Sequence, residues 1–297
     1  MTSISIDLLA KKLIEGQLVI VPTETVYGLA ANALNREAVN NIFKAKGRPQ
    51  DNPLIVHVHS KEGILRYSKN QPDYLNSLIE HFSPGPLTYV LETNHLIPSN
   101  ITANLDTIAM RIPDNPIFIN LLKECNLPLA APSANISGRP SSTNFKDARN
   151  EFSNSNLVNY GLDGGKSSIG IESTVIRCNH NQIIILRHGT FKKEDIEKVV
   201  EVPVVFNRSK KLEAPGQKYK HYSPAVKVSL VNSFENYNTD IFLFGEYGES
   251  KYYSINESNI YDFFREGETK NKDILILETS SLKNNLALFD RIKKATS

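Results

Sequence analysis

Residues 44–58 read KAKGRPQDNPLIVHV. The first residues close a helical pattern in which Val39, Ile42 and Phe43 share one face, Asn35 is placed to cap the start and Gly47 to end it. Pro49 and Pro53 then bracket a turn, and the apolar run LIVHVHS follows as a strand. A helix, a cationic turn and a buried strand within so few residues define an α/β unit. The turn carries Lys46 and Arg48 on either side of Gly47. Arginine offers a planar fork of donors that suits phosphate oxygens, and lysine adds a point charge. The same pair also suits a solvated helix end, where cations meet the macrodipole. His57 shares a strand face with Ile55 and His59, as either a packed core histidine or a ligand group.

Outward from this stretch the alternation continues. Residues 4–15 read as an amphipathic helix built on Ile6, Leu9, Ala10 and Leu13. QLVIV is a short strand and TETVYGLAANAL a loop rich in small residues. After a helical stretch at 72–81, SPGP turns into the strand LTYVLE. TIAMRI is a further strand, with Thr107, Ala109 and Arg111 on one face and Ile108, Met110 and Ile112 on the other. An arginine at such a position requires an anion, from the protein or from a ligand. PDNPIFINLLKEC is a helix with Asp114 as its expected N-cap and Pro116 in the first turn. PLAA leads into the polar loop PSANISGRPSSTN, in which Ser133 and Asn135 face one side if the backbone is extended. ESTVIRC and QIIILRH are paired strands, KKEDIEKVV a helix and VPVVF a strand. NRSKKLEAPGQKYKHYSPA has the composition of a linker. Beyond it KVSLV, DIFLFG and DILILE are strands, and NIYDFF and NLALFDRIKK helices, a small α/β module of parallel character.

Composition limits the function classes. The 297 residues suit one large domain plus a small one. A formal net charge of +2 gives no bulk field for nucleic acid, so any polyanion site is local. The two cysteines, Cys125 and Cys178, lack metal-ligand spacing and fit a reducing cytosol as core thiols. No apolar run approaches the roughly 18 residues of a membrane span, and the first residues lack the apolar core of a signal peptide. GLDGGKSS is one residue short of a phosphate-binding P-loop, and a strand follows it in place of the required helix.

In chain order, PTETVYGLAA, KAKGRPQDNPLIVHV, SPGPLTYVL, AMRIPDN, APSANISG, GIESTVI and ILRHG resemble the motifs of the threonylcarbamoyl-AMP synthases of the two-domain, YrdC-like kind. APGQKYKHYSP and the segment 273–295 resemble the long form of that family. The resemblance implies a twisted open mixed α/β sheet with a second, smaller Rossmann-like α/β domain. The expected boundaries are 3–190 for the catalytic domain, 191–225 for the connecting segment and lid, and 226–297 for the small domain.

It also implies a nucleotidyltransferase that forms L-threonylcarbamoyladenylate and pyrophosphate from L-threonine, bicarbonate and ATP with Mg2+. The product would pass to a transferase complex that modifies tRNA. By the same resemblance Lys46, Arg48, Asn52, Thr107, Ser133, Asn135, Ser141, Arg187 and Tyr222 would contact ATP, with Lys46 and Arg48 the catalytic cations. Thr25, His57, Arg111, Ala131 and Ser173 would form the threonine pocket, with Ala131 acting through its backbone. Glu24 and Glu172 lie inside matched motifs without an assigned role. Residues 207–225 would close over the nucleotide, with Tyr219 and Tyr222 available to it. Gln217 and Lys220 depart from the family pattern, and the small domain is shorter than usual. Two other readings are a tRNA- or double-stranded-RNA-binding module without adenylation, and an enzyme using carbamoyl phosphate. The second would need zinc-finger cysteines, which this chain lacks. Direct tRNA binding is compatible with the synthase but not required, and no membrane contact is expected.

Overall fold

The computed structural model describes residues 5–207, 221–234, 242–244 and 254–296. Most of the expected lid, including Gln217, Tyr219 and Lys220, lies outside the described residues.

An 11-stranded mixed sheet dominates the chain. Its middle is Thr174–Asn179, Leu87–Thr93, Thr107–Arg111, Ile55–His57, Leu129–Ala130 and Gly28–Asn32, in that spatial order. Ile55–His57 runs parallel to Thr107–Arg111 in a register that sets His57 opposite Arg111. Both strands therefore release their last residue at the same sheet end. Leu87–Thr93 and Thr174–Asn179 run parallel to each other and begin there, with Leu87 opposite Thr174. Gln182–Arg187 returns antiparallel and ends there with Arg187 beside Val175. The strand ends converge on one crevice, the usual place for a ligand in an open α/β sheet.

The alternation read from LIVHVHS and TIAMRI holds. Leu54, Val56, Val58, Ile108, Met110 and Ile112 join the main core. Ile55 and Ala109 pack on the other face with Val90, Val175 and Leu186. The strand at LIVHVHS is shorter than its apolar run, because Ser60 caps an unforeseen helix, Lys61–Tyr67. TETVYGLAANAL is not wholly a loop, since Gly28–Asn32 is a fully buried strand. Its small side chains conceal it from period-based reading, yet they suit a strand covered on both faces. Asn115, not Asp114, caps the helix Pro116–Cys125, accepting from the amides of Ile117 and Phe118. Asn35 caps Arg36–Lys46 and Gly47 ends it at φ 58°, as expected.

A second sheet, wholly parallel, is formed by Val228–Val231, Ile274–Leu277 and Phe242–Phe244. The helices Ile260–Lys270 and Leu286–Thr296 bury Tyr261, Phe264, Leu288 and Ile292 in a core that also takes in Val26, Ile171 and Tyr222. The two sheets are thus joined by a shared apolar seam. Polar contacts flank it: Arg265 reaches Glu151 at 2.8 Å and Thr143 donates to Asp262 at 2.8 Å.

Gly189 packs where no side chain fits. A Cβ there would lie 2.3 Å from the Thr174 amide nitrogen and 2.6 Å from the Ser173 carbonyl carbon. Gly189→Ala is expected to lower stability by about 3 kcal/mol through overpacking against backbone. Gly47→Ala, which meets no atom within 4 Å, should lose only about 1 kcal/mol from its left-handed conformation. Urea midpoints of the two variants check the difference.

Candidate active site

The crevice encloses about 700 Å³ including its open mouth, within the range of a small-molecule site. Of the residues expected at a site, Thr25, Arg48, His57, Arg111, Ala131, Ser133, Asn135, Ser141, Ser173, Arg187 and Tyr222 line it together. Segments distant in the chain thus meet around one space.

Arg111 is buried and engaged on all three of its nitrogens. Nε donates to the Gly85 carbonyl at 3.1 Å, Nη1 to Thr25 Oγ1 at 3.0 Å, and Nη2 to Glu24 Oε1. A guanidinium has five N–H groups, so two remain, enough for a carboxylate. Proton accounting fixes Thr25. The Thr23 hydroxyl donates to the Val26 carbonyl at 2.6 Å, so the 2.8 Å contact between the two threonines runs from Thr25 to Thr23. Thr25 Oγ1 thereby presents an acceptor to Arg111. His57 lies 5.4 Å from Phe118, ring centre to ring centre, and its buried Nδ1 has no partner among the described residues. Burial and the neighbouring Arg111 push its pKa down to about 3, so the ring is neutral at physiological pH.

Further guanidinium groups line the crevice. Arg48 is held by the carbonyls of Asn52 and Pro53, at 3.2 and 2.8 Å. Arg187 donates to the Ser173 carbonyl and to Ser173 Oγ, both at 3.0 Å, and Ser173 Oγ also lies 2.8 Å from Thr88 Oγ1. His221 and Tyr222 also line it. Burial and then the charge of Arg48 lower the His221 pKa to about 4.

Three expected residues are placed differently. Lys46 is 1% exposed and does not line the crevice. Its Nζ donates to the Ser133 and Asn135 carbonyls, and its own carbonyl accepts from the Ser137 amide at 2.8 Å. It clamps the loop that carries Ser133 and Asn135. Burial and the adjacent Arg48 press its pKa well below the usual lysine value. Asn52 lies under the turn, beside the lining residue Pro53, with both amide atoms buried and unpartnered among the described residues. Thr107 is at the far end of its strand from Arg111, opposite Glu92, in a separate depression. Sharing a face of a strand does not bring its two ends to one site. Ala131 lines the crevice, but its amide bonds to the Ile55 carbonyl at 3.1 Å. That leaves its carbonyl and methyl group for a ligand.

The sequence reading left Glu172 without a role and missed its partners from the small sheet. Ser141 Oγ donates to Glu172 Oε1 at 2.5 Å, Arg291 Nε reaches Oε2 at 2.9 Å, and the Tyr261 hydroxyl lies 2.9 Å from Oε2. Burial alone would raise the carboxyl pKa, but Arg291, Arg187 and the Ser141 hydroxyl outweigh it and hold it at about 2. Arg291 had a visible signal: it falls on the apolar face set by Leu288, Ile292 and Ala295.

These shifts set the acid limb of stability. His57 and His221 bind protons in the unfolded chain below about pH 6.5 but resist them when folded. Stability should therefore decline as pH falls from 6.5 towards 4. Glu172, depressed from 4.5 to about 2, adds a further loss below pH 4.5. Urea midpoints between pH 8 and 3.5 test this. His57→Gln should flatten the upper part of the decline, and an unchanged slope would refute its role.

A mixed α/β sheet whose strand ends gather guanidinium groups and neutral hydroxyls defines a class of small-molecule site for anionic groups. Residues 11–189 match the family model that groups Sua5, YciO and YrdC, described as "Telomere recombination". Residues 191–297 match "Threonylcarbamoyl-AMP synthase, C-terminal domain". The chain belongs to this Sua5/YciO/YrdC family. It is 45% identical over 227 residues to the threonylcarbamoyl-AMP synthase of Pyrococcus abyssi, covering 73% of this chain and 65% of that protein. The Bacillus subtilis synthase is 40% identical, covering 73% and 63%. The Schizosaccharomyces pombe synthase is 37% identical, covering 86% and 66%. The match thus spans slightly less than two thirds of the length of each. The crystal structure of P. abyssi Sua5 complexed with L-threonine superposes with a TM-score of 0.88 at 35% identity, covering 98% of this chain and 94% of that one. The E. coli YciO structure, at 19% identity and TM-score 0.57, shares the fold of the larger sheet. Among the described residues no helix is long and apolar enough to cross a membrane.

Proposed function

We propose that this chain is a threonylcarbamoyl-AMP synthase, forming threonylcarbamoyl-adenylate and pyrophosphate from L-threonine, bicarbonate and ATP. The observation that carries the reading is the single crevice that Arg111, Arg48 and Arg187 line together. The two remaining N–H groups of Arg111 fit the threonine carboxylate. Thr25, neutral His57, Ser173 and the Ala131 carbonyl surround the rest of the amino acid. Arg48 and Arg187, with Ser133, Asn135, Ser141 and Tyr222, take the nucleotide. Asn52, whose side-chain amide has no partner among the described residues and which sits behind the lining residue Pro53, would reach the nucleotide through a shift of its turn.

The carbamate oxygen of N-carboxy-threonine attacks the α-phosphorus, the bond to the bridging oxygen breaks, and pyrophosphate leaves. The step needs alignment and charge neutralisation, not an enzyme nucleophile. None of the lining hydroxyls is hydrogen-bonded to His57 or His221 among the described residues, in keeping with that demand. A protein-held metal fits poorly. The described residues contain no cluster of three carboxylate, histidine or cysteine groups, and Glu172 already receives three donors. Magnesium therefore belongs to the substrate as MgATP.

The adenylate would pass to a transferase complex acting on tRNA, in the cytoplasm. The free, buried thiols of Cys125 and Cys178 suit that compartment. We also place the unit boundaries near 190 and 226; the family matches that end at 189 and resume at 191 support the first.

The test is pyrophosphate release from MgATP with L-threonine and bicarbonate, omitting each in turn, with labelled bicarbonate followed into the adenylate. Release that requires both co-substrates is expected. Folded protein that binds ATP but releases nothing would overturn the reading in favour of an RNA-binding module.

A further inference from the structure

Arg291 belongs to the helix Leu286–Thr296 of the small unit, yet it is fully buried against the crevice wall. Besides Glu172, it donates through Nη2 to the His188 carbonyl at 3.0 Å and through Nη1 to Asp290 at 2.9 Å. Its guanidinium also lies 5.3 Å from the ring centre of Tyr222. Tyr261, from the helix Ile260–Lys270, places its hydroxyl 2.9 and 3.1 Å from the two oxygens of Glu172. Two elements of the small unit thus converge on one carboxylate whose residue lines the crevice.

The consequence falls on Ser141. An ionised carboxylate only accepts, so the 2.5 Å contact fixes the Ser141 proton on Glu172. A serine has one proton and two lone pairs. With its proton directed at the wall, Ser141 shows the crevice acceptor capacity only. It cannot donate to a phosphate oxygen and pairs instead with a donor on the ligand.

We propose that the small unit, through Arg291 and Tyr261, fixes Glu172 so that Ser141 faces the crevice as an acceptor and selects a hydrogen-bond donor on the nucleoside. This rests on the reading of the crevice as an ATP site. The donor is a ribose hydroxyl or the exocyclic amine of adenine. Arg291 and Tyr261 are positioning residues in this scheme, because they act through Glu172.

Calorimetry on the full chain tests it, with ATP, 2′-deoxy-ATP, 3′-deoxy-ATP and purine riboside triphosphate, which lacks the amine. The wild type should bind one of these analogues about tenfold more weakly than ATP, and that analogue identifies the donor. Ser141→Ala should bind ATP and that analogue alike. Tyr261→Phe keeps the ring packing and removes only the hydroxyl. It should weaken ATP and shrink the preference while leaving the threonine Kd within about threefold, and Arg291→Leu should do so more strongly. Equal binding of all four nucleotides by the wild type would overturn the inference. So would a preference that survives Ser141→Ala, or a parallel loss of ATP and threonine in Tyr261→Phe. Absence of any nucleotide binding by folded wild type removes the ATP reading itself, whereas ATP binding without a preference removes only the inference.

Discussion

Arg111→Leu is expected to cripple threonine-dependent pyrophosphate release, with kcat/KM for threonine down roughly 30- to 5,000-fold. That range follows from the roughly 2–5 kcal/mol lost when one partner of a buried charge pair is removed. The same change leaves Glu24 buried without its cation, because Arg111 and Glu24 form a pair in which the side chains are only 4% and 6% exposed. Stability should therefore also fall, by about 3–5 kcal/mol. The two effects are separable. Arg111→Met combined with Glu24→Gln removes the stranded charge and should recover most of the urea midpoint. It should recover none of the threonine affinity. Double-variant activity returning with stability would show that Arg111 serves the fold and not the substrate carboxylate.

Lys46→Ala should have the second-largest effect, by a different route. The ammonium group holds two loop carbonyls, those of Ser133 and Asn135. Its loss takes a charged donor from each, at about 1.5–3 kcal/mol per hydrogen bond to a charged group, and leaves the Ser133 carbonyl only the Asn135 amide at 3.0 Å. In a domain of this size that lowers Tm by roughly 10 °C. Nucleotide affinity should fall with it, because the two bonds that the Asn135 amide nitrogen makes to Ile136 and Arg139 hold its Oδ1 at the crevice without a partner among the described residues. Threonine binding, at Arg111 and Thr25, should change far less. A Lys46→Met protein that keeps its Tm and loses only ATP affinity would instead make the lysine a direct phosphate ligand. Differential scanning calorimetry beside ATP and threonine titrations separates the two outcomes.

The contrast between Arg111 and Lys46 shows how far sequence reading reached. Arg111 was legible because alternation along TIAMRI put a charge on a face that also carried Ala109, and alternation is a backbone property independent of what packs nearby. Lys46 was legible as a cation at a glycine turn, but which oxygen it meets depends on a loop more than 80 residues later. Thr107 lies away from the crevice for a related reason: the strand's period fixes its face and leaves its distance from the crevice open. Gly28–Asn32 was hidden because a strand covered on both sides needs no alternation.

By itself the sequence determined the alternation of helices and strands, the faces of His57 and Arg111, the cap at Asn35 and the turn at Gly47. All are set within a few residues by local backbone geometry. The motifs, taken in order, also determined the family. Only the tertiary structure decided that Lys46 props a loop and that Arg291 and Tyr261 reach across from the small sheet to Glu172. The last of these is a pairing between distant segments, made because a carboxylate and a guanidinium taken from water must find each other to remain charged. No local pattern states which two will meet.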